Sequence, residues 1–165
     1  MANPFLVLGG VAVGVVTAGI GVMQVPGWID SANDSAVRND LSQVAIGEEA
    51  AYTVSANYTD LDGLIDGTSQ DNAGTEIATG VEIQVSSGVE LAVALDATSD
   101  EWAAIGESKS GHLFVRTSEG ADVFTSDSKV FADAITDIQA QIDAALGADV
   151  VTIGGVSGAP TIAFD

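Results

Sequence analysis

The sequence contains no cysteine, which excludes disulfide staples, thiolate catalysis and cysteine-based zinc sites together. Any exported form must therefore be held by packing or by assembly. Basic residues are nearly as scarce, with four Lys plus Arg against 24 Asp plus Glu and a formal net charge of -20. Arg38, Lys109, Arg116 and Lys129 are scattered, whereas tracking a phosphate backbone needs clustered cations. No nucleic-acid partner is expected. The single histidine, His112, has no second His and no Cys with which to share a metal, and it reads as a half-exposed residue at a strand edge. Ser108 and Ser110 lie near it in sequence, yet neither a nucleophile elbow nor an orienting acid accompanies them. GGVAVG (9–14) lies in an apolar segment rather than after a strand, so it is not a phosphate-binding loop. Aromatics are few and widely spaced. An enzyme is not expected.

What is present argues for a folded chain. It is 47% hydrophobic with a mean hydropathy of +0.34, unlike the apolar-poor composition of disordered acidic chains. Its 165 residues suffice for one domain plus an appended segment. That segment is the N-terminus. Met1 to Ile29 carries no ionisable side chain, and Pro4 to Val25 is long enough to cross a bilayer as a helix. From Asp30 onward nearly every window carries acid. Three readings compete for the first segment: a secretory signal peptide, which lacks its usual basic leading region; a plain single-pass anchor; and an anchor that later becomes a filament core. Glycines at Gly9, Gly10, Gly14, Gly19 and Gly21 favour the third. Gly10 and Gly14 form a small-xxx-small pair that permits close helix approach in an apolar medium. Pro26-Gly27 predicts a kink or break near Met23.

Helical periodicity then resumes over about Ser31 to Ser55. Val37, Leu41, Val44, Ala45 and Tyr52 form an apolar stripe, while Arg38, Asn39, Asp40, Gln43, Glu48 and Glu49 fall mainly elsewhere. The adjacent carboxylates Glu48 and Glu49 point about 100° apart on a helix, and both are expected to be solvated. Asn57 to Gly74 reads as a turn-rich stretch. VEIQV (81–85) and VELAVAL (89–95) alternate as the two strands of a hairpin. Further strands are expected at Trp102 to Ile105, at HLFVRT (112–117) and around Val123-Phe124. A second helix is expected over 128–146, capped by Ser128, with Phe131, Ile135, Ile138, Ile142 and Leu146 as its stripe and Gly147 ending it in a left-handed turn. DVVTIGG (149–155) and PTIAF (160–164) suggest a last hairpin. The expected fold class is α+β: a long kinked N-terminal helix packed on a small antiparallel sheet, with an additional C-terminal helix and short strands. Three segments are expected, namely 1–29 as hydrophobic helix, 30–56 as its amphipathic continuation and 57–165 as an acidic globular head.

This layout resembles the type IV pilins and pseudopilins, in which an apolar half-helix starting with Phe leads to a Pro, then to an amphipathic half, then to an antiparallel sheet. With Phe5 as the first mature Phe, Pro26 falls at the interval of the helix-kinking proline. AVRNDLSQVAIGEEAAYTVSANYTDLDGL (36–64) is the part most similar to the Gram-positive pilin-like pattern, and AAIGESKSGHLFVRTSEG (103–120) is similar in style to the strand-turn-strand of those heads. The resemblance covers about residues 5–65, is weaker to 125, and does not reach the C-terminal helix and tail. It implies a homopolymer, a helical filament at the cell surface, whose subunits reside in the membrane before assembly. Phe5, Gly9, Gly10, Gly14, Gly19, Gly21 and Pro26 would then form the assembly core. Such pilins carry Glu four residues after the mature Phe. Gly9 stands there in this chain, so docking would rest on apolar contacts and close packing rather than on that ion pair.

A competing reading is a single-pass anchored protein whose acidic head binds a partner or cation without polymerising. Asp60, Asp62 and Asp66 in DLDGLIDG, with Asp71 nearby, make calcium a candidate ligand because hard cations want several loop oxygens. Leu64 and Ile65 break the EF-hand pattern, and a solvated acidic loop is the alternative. Asn33-Asp34-Ser35 and Asn57-Tyr58-Thr59 match the glycosylation acceptor pattern.

Overall fold

In a computed structural model, the described residues are 4–98, 100–148 and 150–164, with side chains described from residue 26 onward. The chain divides into two compact units, Met1–Ala32 and Asn33–Asp165. A helix, α1, runs over Pro4–Ser55, 52 residues, with Pro26 inside it. The break expected near Met23 does not occur, since proline removes one backbone hydrogen bond and the flanking turns retain theirs. Phe5, Gly9, Gly10, Gly14, Gly19 and Gly21 belong to the stretch Pro4 to Val25, whose backbone is helical and whose side-chain packing lies outside what the structure describes. Among the described residues, no helix is long and apolar enough to cross a membrane. Trp28 and Ile29, at the end of the first unit, are exposed.

The second unit is a mixed helix and sheet structure. Its centre is a four-stranded antiparallel meander: β3 (Glu90–Leu95), β4 (Trp102–Glu107), β5 (Leu113–Thr117) and β6 (Val123–Thr125). Leu95 pairs with Trp102, Ile105 with Val115 and Val115 with Phe124, which fixes the register. Both faces of this sheet are covered. On one, Trp102, Ala104 and Phe114 pack with Val37, Leu41 and Val44 of α1. On the other, Ala103, Ile105, Leu113 and Val115 pack with Ala134, Ile138 and Ile142 of α3 (Phe131–Leu146). Period-two alternation between two apolar faces explains why every residue of β4 is buried. The close approach of α1 is set at Gly106, where a Cβ would come within 2.5 Å of Val37 Cγ1.

α3 starts three residues later than expected. Ser128 does not cap it: the Ser128 hydroxyl accepts from Val130 N–H, and Val130 opens the helix with no side-chain cap. Gly147 ends the helix at φ 107 and ψ 155, which is outside the left-handed helical region. Gln139 ties α3 to β7 (Val151–Val156), donating to Val151 O and accepting from Ile153 N–H. β7 pairs with β8 (Ala159–Phe164) in the expected terminal hairpin. Its turn is held by Glu107, a buried carboxylate that accepts from the Ser157 hydroxyl and, at 2.7 Å, from Gly158 N–H.

Two expectations fail between the helix and the meander. The stretch 57–74 is more than turns: it holds a short helix, α2 (Leu61–Asp66), and β1 (Thr68–Gln70), which pairs with β2 (Glu76–Ala78). VEIQV is not a strand. Its backbone bonds side chains and a helix end instead, with Ile83 N–H donating to Leu64 O and Ser86 N–H to Asp40 Oδ2. From Asn33 onward, α1 belongs to the same compact unit as the sheet. Its buried stripe explains that grouping.

Candidate functional site

Most of the second unit's chemistry lies on the buried face of α1. Val37, Leu41 and Val44 continue at helical spacing to Glu48, Ala51 and Ser55, all buried. Tyr52, expected in this stripe, is exposed and stands beside the Tyr58 ring with centroids 4.9 Å apart. Glu48, expected in solvent, is fully inaccessible. Its Oε2 accepts from Thr59 N–H at 2.9 Å, and Oε1 has no hydrogen-bond partner among the described residues. Burial pushes the Glu48 carboxyl up to about 8; the Thr59 N–H opposes this, and the neighbouring Asp60 charge adds to it. At neutral pH Glu48 is mostly a neutral acid. Glu49, one residue on, is exposed as expected.

Asp40 is the second buried acid of the helix. It accepts from both the backbone N–H and the hydroxyl of Ser86, each at 2.8 Å, and so pins the extended stretch 81–86 to α1. Asp34 forms a third connection. Its Oδ1 accepts from the Ser108 hydroxyl at 2.8 Å and from that of Ser110, and its Oδ2 lies 2.8 Å from His112 Nδ1. The orienting acid missing from the local sequence is thus supplied by a residue 78 positions away. The arrangement resembles a Ser-His-Asp set in composition but not in geometry. Both hydroxyls point at the carboxylate, and Ser110 Oγ reaches the same ring nitrogen, Nδ1, at 3.3 Å. A general base would take the proton through the nitrogen that the acid does not hold. The cluster therefore ties α1 to the β4–β5 turn. Partial burial of Asp34 opposes its charge, but bonds from Ser110, Ser108 and His112, with the field of the His112 ring, outweigh this and hold it below the usual range.

In the acidic loop, Asp60 caps α2 by accepting from Gly63 N–H at 2.9 Å, and Asp62 and Asp66 are exposed. They border a polar depression of about 560 Å³ that also includes Asn57, Thr68 and Gln70. Among the described residues, no group of three or more His, Asp or Glu is placed to hold a metal ion. Asp71, also in this loop, closes its own turn, accepting from Ala73 and Thr75 N–H. The Asn57 amide, one of the two acceptor asparagines, donates to Gln70 O and Asn72 Oδ1.

A second groove, of about 630 Å³, lies between α1 and the end of the meander, with Ile46 and Glu49 on one side and Arg116 and Ser118 on the other. Nothing local marks these residues as a unit, because the groove is assembled from the helix, β4, β5 and the β5–β6 connection. No family model matches this chain, and no curated protein and no solved structure matches it.

Proposed function

We propose that this chain is a structural subunit that polymerises through its apolar N-terminal helix into an extracellular, pilus-like filament. The observation that supports this reading best is α1 itself: one helix of 52 residues whose second part covers a sheet face, while its first part belongs to a stretch, Met1 to Ile29, free of ionisable side chains. A bend at Pro26 belongs to this proposal, as do Phe5, Gly9, Gly10, Gly14, Gly19 and Gly21 as the packing surface. The subunit resides in the membrane before assembly, and the acidic heads coat the fibre.

Magnitudes permit assembly. Burying a large aliphatic side chain gains about 1.5–3 kcal/mol, and residues 1–29 contain more than a dozen large apolar side chains. Exposed like charges separated by more than about 8 Å are screened at physiological salt. Burial therefore outweighs the repulsion of -20 per subunit, provided the acids lie outside the core.

Negative-stain electron microscopy of material sheared from expressing cells, with mass spectrometry of the fibres, tests the proposal. Thin uniform fibres of this chain are expected, and the Gly10→Leu/Gly14→Leu double variant should lose them. Intact fibres from that variant would sink the packing argument. No fibres, with all protein in the detergent-soluble membrane fraction, would favour a single-pass anchored acidic protein instead.

A further inference from the structure

Among the described residues Arg116 is a cation without a counterion, in a chain where acids outnumber bases six to one, 24 to four. Along β5 it shares the α1-facing side of the sheet with Phe114 and sits opposite Ala104 and Val123. The guanidinium of Arg38 is stacked 4.6 Å above the Phe114 ring, a use that consumes no carboxylate. Arg116 has no such contact. It forms no ion pair among the described residues, and its Nε is buried with no hydrogen-bond partner. Glu49 borders the same groove but forms no ion pair with Arg116.

A buried, unpartnered guanidinium nitrogen is costly. The group's five N–H donors in a rigid fork match the two oxygens of a carboxylate. The groove is shaped for more than a free anion: Trp102 and Tyr58 border it, and Ile46, 62% exposed, forms an apolar shoulder at its edge. We propose that this groove seats an acidic side chain of a second copy of this chain, with Arg116 as its counterion and Ile46 covered by the neighbour. Charge complementarity argues for that occupant. A neighbouring head offers many exposed carboxylates and almost no competing cations, and the like-charged heads of a filament gain most where one of them presents a cation. The inference rests on the filament reading and adds a lateral head-to-head contact to it.

Two measurements on intact fibres test it. In wild-type material, phenylglyoxal modification of Arg116, read by mass spectrometry, should be at least tenfold slower in fibres than in detergent-solubilised subunits. Equal rates in both would overturn the inference, as would protection already complete in the solubilised subunit, which would mean that Glu49 closes the groove from within. In fibres of the R116K variant grown from mixed ¹⁴N- and ¹⁵N-labelled subunits, zero-length carbodiimide coupling should join position 116 of one isotope to an Asp or Glu of the other. Coupling confined to one isotope refutes the contact while the fibre itself stands. Absence of wild-type fibres would instead remove the filament reading, and this contact with it.

Discussion

Replacing Glu48 by Gln tests the energetics of the α1 packing most directly. The Glu48 carboxyl ordinarily titrates at 4.5 and is pushed up to about 8 in the folded chain. Between those values the folded state holds a proton that the unfolded chain has released, so stability falls as pH rises. Below 4.5 both states are protonated and above about 8 both are ionised, so the loss is confined to that window. Each pH unit within it costs about 1.4 kcal/mol, which makes the loss at pH 7 on the order of 3 kcal/mol. Gln keeps an acceptor for Thr59 N–H and cannot ionise. The variant should match wild type near pH 4.5 and exceed it by roughly 3 kcal/mol at pH 7.

Urea unfolding of the full chain in detergent, followed by Trp fluorescence with Trp102 buried at the α1–sheet interface, gives both profiles. The difference between variant and wild type isolates Glu48, since every other titrating group is common to both. Parallel profiles from pH 5 to 8 would refute the assignment of a buried neutral acid. So would a carboxyl resonance for residue 48 that titrates near 4.5.

Asp34→Asn should remove stability that wild type has above the ordinary aspartate value of 3.8 and loses as pH falls through its depressed folded value. About 1 kcal/mol is expected after allowing for solvent screening, read as a difference in urea midpoints at pH 6 that shrinks as pH falls below 3.8. Gly106→Ala drives a methyl to within 2.5 Å of Val37 Cγ1 and should cost about 1–3 kcal/mol by overpacking, visible as a lowered Tm. Ala56→Gly should stabilise by about 0.5–1 kcal/mol, because Ala56 ends α1 at φ 60, a left-handed conformation that glycine adopts without penalty. Glu107→Ala frees the Ser157–Gly158 turn; amide exchange should accelerate across β7 and β8 while the α1-facing residues of β5 stay protected.

Where the sequence was legible, apolar periodicity carried the information. Val37-Leu41-Val44 and Ile138-Ile142 each bury one side chain per helical repeat, and local spacing suffices to find them. It fails where a polar residue occupies a core position. Glu48 continues the spacing of Val37, Leu41 and Val44 and is followed by buried Ala51, so the helical period itself marks it as inward-facing. Reading acids as solvated overrode that signal and brought Tyr52 into the stripe instead. VEIQV alternates as a strand does, but alternation records only that one side is buried. Here the burying partners are α1 and α2, and Asp40 and Leu64 O take the hydrogen bonds that a neighbouring strand would have taken. Asp34 and His112 show the limit of local reading. Neither residue's neighbours imply the other, and only the packing of α1 on the meander brings an acid from the helix to the β4–β5 turn. The groove at Arg116 has the same origin. Its members come from separate elements of the second unit, and what distinguishes Arg116 from Arg38, the missing partner, exists only once the helix has been laid on the sheet.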